Sequence, residues 1–119
     1  MSRAGRVAWE TDWARIAALY AALAQITPSP IVELNRAVAV GMALGPEAGL
    51  AIVEPLLAEP SLQHYHLLPS VHGDLLSKVG RYDEARAEFE RAASLTRNTR
   101  EKELLLARAH SRQPESPLG

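Results

Sequence analysis

Apolar positions recur at three- and four-residue steps along most of this chain, the period of one face of an α-helix. Six segments carry that pattern. The first runs from about Asp12 to Ile26, with a stripe of Trp13, Ile16, Leu19, Tyr20 and Leu23 and with Asp12 or Thr11 placed as N-cap. It stops at Thr27-Pro28-Ser29-Pro30, because a residue before proline resists the helical region. The second runs from about Ile31 to Leu44, behind Ser29 as cap and Pro30 at the first helical position, and Gly45 ends it. The third starts at Pro46 and reaches about Ala58. Pro55 inside it costs ~3 kcal/mol in a helix interior, so a kink or early end near Glu54 is predicted. The fourth covers about Leu62 to Val79, with Pro69 shortening or kinking it. The fifth covers Asp83 to Leu95, with Asp83 at the electrostatically favoured end. The sixth covers about Thr99 to His110. Residues 1–11 read as a lead-in, 12–111 as one helical domain, and 112–119 as a loose, proline-bearing tail.

The stretch Leu75–Leu95 is the most informative. Gly80 is predicted to end one helix in a left-handed turn, and Tyr82 to open the next. Ala85, Phe89 and Ala92 then share one face. Small Gly73 and Ala85 allow close approach of the two helices, with Phe89 filling the space between them. This spacing resembles the second half of a tetratricopeptide repeat. Gly45 lies 35 residues before Gly80 (80 − 45), close to that repeat's period of about 34. The expected fold is therefore all-α, a tetratricopeptide-like helical-hairpin solenoid of about six helices. Trp13, Ile16, Tyr20, Leu23 and Pro28 occupy the places of a second helix and its closing proline. The chain thus reads as starting in mid-repeat, as the C-terminal part of a longer protein would. An uncovered first helix predicts an apolar patch around Trp9, Trp13 and Tyr20, and self-association through that end as a two-fold dimer.

Composition narrows the class. Of 119 residues, 47% are apolar and 23% charged, the balance of a globular domain rather than of a disordered tail. Residues 1–60 carry four basic and six acidic side chains and the remainder nine and eight, so neither half has a one-sided basic surface for nucleic acid. No cysteine is present, which removes disulfides, thiol catalysis and thiolate metal sites. The run 37–53 is apolar apart from Glu47, but Gly45-Pro46 breaks it, and the first residues lack a signal-peptide core. A cytoplasmic protein with no membrane segment is expected.

Candidate chemistry is sparse. His64, His66 and His72 stand two and six residues apart, which does not gather them on a helix face, and they read as surface or groove residues. Ser70, His72 and Asp74 contain the side chains of a hydrolase triad, but alternate positions on one helix cannot converge. No phosphate loop or paired-carboxylate site is evident, so neither enzyme activity nor a cofactor or metal is expected. Arg86–Glu90 and Glu88–Arg91 have the spacing of helix-face ion pairs. The first helix of each hairpin would line a concave groove. Those helices offer Val32, Asn35, Arg36 and Ala39, then Leu67, Ser70, Val71 and Asp74, with Tyr65 and His66 at the edge. Asn35 and Arg36, in an alanine-rich helix, serve either a partner or a helix–helix contact, for example Asn35 to backbone of the Pro28–Pro30 turn. Asp74 would repel a carboxylate, which disfavours a clamped C-terminal carboxylate as the ligand.

Ser29-Pro30, Leu34-Asn35-Arg36-Ala37-Val38-Ala39-Val40 and Tyr65-His66-Leu67 are more specific than the repeat pattern. With them, residues from about Asp12 to Ala109 resemble the C-terminal extension of a group of bacterial extracytoplasmic-function RNA polymerase sigma factors. Pro55 and Pro69 depart from that family, which more often continues a helix there. The resemblance implies a non-catalytic regulatory domain that contacts RNA polymerase, the sigma regions of the same full-length protein, or another protein. The regions that bind polymerase and promoter DNA would precede it, and no direct nucleic-acid contact is expected from this chain. The other reading is a free-standing tetratricopeptide scaffold that binds a peptide or partner protein.

Overall fold

The computed structural model describes residues 12–110. Six α-helices follow one another: α1 Trp13–Ile26, α2 Pro30–Leu44, α3 Pro46–Leu56, α4 Leu67–Lys78, α5 Tyr82–Leu95 and α6 Thr99–Ala109. A short 3-10 helix, Pro60–Leu62, interrupts the connection between α3 and α4. No strand occurs among the described residues. Each helix packs chiefly on the next in sequence, and α2 also touches α4. The protein is all-helical and built as successive hairpins. Trp9, on which part of the expected dimer surface rests, and the tail at 112–119 lie outside the described residues.

Local chemistry sets most of the helix ends. Asp12 accepts from the Arg15 amide at 3.2 Å, Ser29 from Ile31 at 3.2 Å, and Asn98 from Glu101 at 2.8 Å, each satisfying an amide that the first turn leaves open. Pro30 and Pro46 begin their helices, where a missing N–H costs nothing. Gly45 (φ 109°) and Gly80 (φ 87°) are the positive-φ residues of the described chain, and each turns one hairpin. They stand 35 residues apart (80 − 45).

Two helix limits differ from the expected ones. α3 passes Pro55 and ends at Leu56, short of Ala58. α4 begins at Leu67, not near Leu62. Pro69 then falls in the first turn, where its lack of an N–H breaks no intrahelical bond. The preceding residues form the 3-10 turn, and Leu62 is buried there as a core anchor.

The core joins α2 to α6. Leu34, Val53, Leu62, Leu76, Phe89 and Ala92 are among its buried members. At Gly73 a Cβ would lie 3.0–3.2 Å from three atoms of the Phe89 ring, so the glycine lets α4 sit directly on that ring without crowding it. At the α2–α3 crossing, a Cβ on Gly49 would meet the Ala37 carbonyl at 3.0 Å and the Gly41 Cα at 3.1 Å. Both crossings are held close by glycines in helix interiors, positions where glycine costs about 1 kcal/mol against alanine.

Among the described residues, no helix is long and apolar enough to cross a membrane. α1 stands apart. It has no buried residue, and Leu19, Leu23 and Ile26 are exposed, Ile26 by 79%. Trp13 and Tyr20 are half-buried, so the bare apolar face of α1 centres on Leu19, Leu23 and Ile26 rather than on the aromatic residues.

Candidate functional site

α2 and α4 leave between them a cleft of about 210 Å³. Val38, Gly41 and Met42 form its α2 wall, and Val71 and Leu75 the apolar part of its α4 wall. Ser70, Asp74 and Lys78 complete the rim. The cleft exists because α2 is drawn toward α3 by the Gly41–Gly49 contact and α4 toward α5 by the Gly73–Phe89 contact. The two first helices of the hairpins therefore touch each other only lightly.

The expected groove residues divide into three groups. Ser70 and Asp74 line the cleft. Ser70 donates its hydroxyl to the His66 carbonyl at 3.0 Å. Asp74 is bridged by Lys78 at 3.0 Å and by Arg108 of α6 at 3.1 Å. Asn35 and Arg36 do not line it. Asn35 is exposed one turn before Val38, so burial does not force a partner on it. Arg36 forms a two-point pair with Glu33, Nε to Oε2 at 3.1 Å and Nη2 to Oε1 at 2.9 Å. That hydrogen bond holds the Glu33 carboxyl below its ordinary value and raises the Arg36 guanidinium. Tyr65 and His66 form the third group, at the entry to α4. Tyr65 packs against the core, and its ring meets His66 edge-on at 6.0 Å. His66 Nε2 lies 3.2 Å from Glu101 of α6. Glu101 also accepts the Thr96 hydroxyl at 2.6 Å, and that bond, with His66 as a lesser cause, lowers its carboxyl from the usual value. Tyr65 and His66 thus fasten the α4 entry to α6.

His64 is exposed and His66 half-buried, as surface or groove residues would be, but His72 differs. His72 is neither a surface nor a groove residue; it is 8% exposed and pairs through Nδ1 with Glu88 of α5. Ser70, His72 and Asp74 go to three different partners, as their alternation requires. The expected Glu88–Arg91 pair is replaced by tertiary bonds, since Arg91 donates to the Gln63 carbonyl at 3.0 Å. Arg86 and Glu90 are both exposed, and among the described residues no ion pair joins them. Among the described residues, no three His, Asp or Glu side chains gather where they could hold a metal ion.

Arg108 beside the cleft is a residue that sequence spacing did not single out. Its guanidinium lies 4.6 Å from the Phe89 ring centroid while it binds Asp74, so one side chain ties α6 to both helices of the preceding hairpin. A basic residue in the last turn of a helix was its only local signal.

No family model and no solved structure matches the chain. An uncharacterized protein of Rhizobium meliloti (strain 1021) is 49% identical to it over 92 residues, which make up 77% of this chain and 21% of that relative. The chain therefore spans about a fifth of the length of the curated relative it matches.

Proposed function

We propose that this chain is a non-catalytic protein-interaction domain of the kind found as the C-terminal extension of bacterial extracytoplasmic-function sigma factors, acting in the control of transcription initiation. The observation that carries the reading is the α2–α4 cleft. One of its walls, through Val38, is made by the same helix that bears the Leu34–Val40 motif, and that wall is apolar and open to solvent. An apolar cleft on paired helices binds side chains of a partner by burial alone and needs no reacting group. The partner in this reading is RNA polymerase or the sigma regions of the same full-length protein, in the cytoplasm. Contact with promoter DNA belongs to those other regions. The tetratricopeptide description of the hairpins is part of the same proposal. It rests on the glycine turns at Gly45 and Gly80 and on the Gly73–Phe89 contact.

The bare face of α1 supports a second element of the proposal, self-association. Leu19, Leu23 and Ile26 on one chain would cover the same residues on another, in a two-fold pair. The decisive test of the domain reading is the coding sequence in frame upstream of Met1. A polymerase- and promoter-binding sigma region is expected there. A frame that starts at Met1 with no such region contradicts the reading and favours a free-standing scaffold.

A further inference from the structure

We propose that the α2–α4 cleft takes a protein segment that presents an aromatic or bulky aliphatic side chain next to an acidic one, an inference that rests on the interaction-domain reading above. Size sets the first half. A cavity of about 150 Å³ with apolar walls stays dry and holds a benzene ring. The cleft, at about 210 Å³, accommodates one large apolar side chain with its backbone at the mouth. Met42 stands exposed at the edge of the α2 wall. A flexible, polarizable thioether adapts to an entering ring and makes favourable contacts with it. Ser70 adds no unsatisfied donor to the cleft, because its hydroxyl is already spent on the His66 carbonyl.

Charge sets the second half. Asp74 reads, in the sequence, as a group that repels anions. In the structure it is one carboxylate between two cations, with Lys78 on Oδ2 at 3.0 Å and Arg108 on Oδ1 at 3.1 Å. The three side chains together carry one positive charge. Arg108 is fixed in place by the Phe89 ring beneath it. Lys78 sits on a flexible stem, with its Nζ 3.9 Å from Met42 Sδ on the opposite wall, so the ammonium stands over the mouth of the cleft. A carboxylate arriving beside the apolar anchor meets Lys78, while Asp74 keeps Arg108. A basic segment would meet an unanswered positive charge.

The test is a selection of short random peptides against the folded 119-residue chain, followed by titration of the enriched peptide into wild-type, Lys78→Glu and Met42→Ala proteins. Both substituted side chains are exposed, and matched thermal melts check the fold. Enriched peptides are expected to place an aromatic or large aliphatic residue beside Asp or Glu. Lys78→Glu is expected to weaken their binding about tenfold at low salt, with the difference shrinking as salt rises. Met42→Ala is expected to weaken binding about threefold at any salt. Enrichment of basic peptides, failure to enrich any peptide, or affinity indifferent to both substitutions overturns the proposal. So does a cleft closed by a second copy of the chain, seen as sedimentation that changes in the two variants. Peptides that bind another face overturn this inference and leave the interaction-domain reading standing. A missing upstream sigma region does the reverse.

Discussion

The α4–α5 hairpin and α1 carry equally regular apolar stripes and meet opposite fates. In the hairpin, Gly73, Leu76, Ala85, Phe89 and Ala92 are all buried, and a glycine faces an aromatic ring at contact distance. In α1 no residue is buried, although its sequence is the less polar of the two. Periodicity therefore reports which face of a helix seeks cover, and only packing reports whether the chain supplies that cover. The hairpin is finished within the chain: its turn, its close contact, its His72–Glu88 link and its Arg108 clasp all come from described residues. Among the described residues, α1 is covered on one side by α2, and Leu19, Leu23 and Ile26 are exposed on the other.

Removing the hairpin's filler should produce the largest effect. Phe89→Ala is expected to cost about 3–5 kcal/mol in urea unfolding, since the cavity cannot collapse between a glycine and a clamped guanidinium. A loss below about 1 kcal/mol would break the contrast between the two regions. His72→Ala comes next, at about 1–3 kcal/mol, because it leaves the Glu88 carboxylate at the α4–α5 contact without its partner. Gly73→Ala should cost about 1 kcal/mol net. The gain in helix propensity is outweighed by a Cβ pressed 3.0 Å from a ring that Arg108 keeps from moving. A more stable Gly73→Ala protein would show that the ring yields and that the contact is looser than drawn.

Acid sharpens the comparison further. Glu33 and Glu101 both have carboxyls held below the ordinary glutamate value of about 4.3 by hydrogen bonds, from Arg36 and from Thr96. Folded values lower than unfolded ones give stability that is complete above the unfolded value and is lost as pH falls through the folded one. The urea midpoint should therefore hold between neutral pH and about 5 and decline below about 4. Thr96→Val should make that decline shallower. The smallest stability effect belongs to α1: at concentrations too low for self-association, Leu19→Ser with Leu23→Ser is expected to change unfolding by less than about 1 kcal/mol. The same pair should abolish self-association in sedimentation. A monomer at high concentration before substitution would remove the dimer from the account.

The helix starts and hairpin turns were legible because their causes are local. Asp12, Ser29, Pro30, Gly45 and Gly80 act on the backbone within a few residues of themselves. Gly73 opposite Phe89 was legible because the spacing of Gly73, Gly80, Ala85 and Phe89 resembles that of a tetratricopeptide hairpin. The start of α4 was not, since a proline fits a first turn as well as a kink, and only the burial of Leu62 in a separate turn decides between them. Partners distant in sequence were the hardest to read. Glu88 belongs to His72 and not to Arg91, and Asp74 is answered by a residue 34 positions away. The placement of the expected groove residues was hard to read for the same reason: Ser70 and Asp74 line the α2–α4 cleft, and Asn35 and Arg36 do not.

The central proposal is that this chain binds a protein through the α2–α4 cleft as part of a sigma factor. Promoter-dependent transcription by the full-length factor, wild type against Met42→Ala/Lys78→Glu, tests it most directly. A several-fold fall in transcript at unchanged thermal stability is the predicted result. Unaltered transcription by a folded double variant would contradict it.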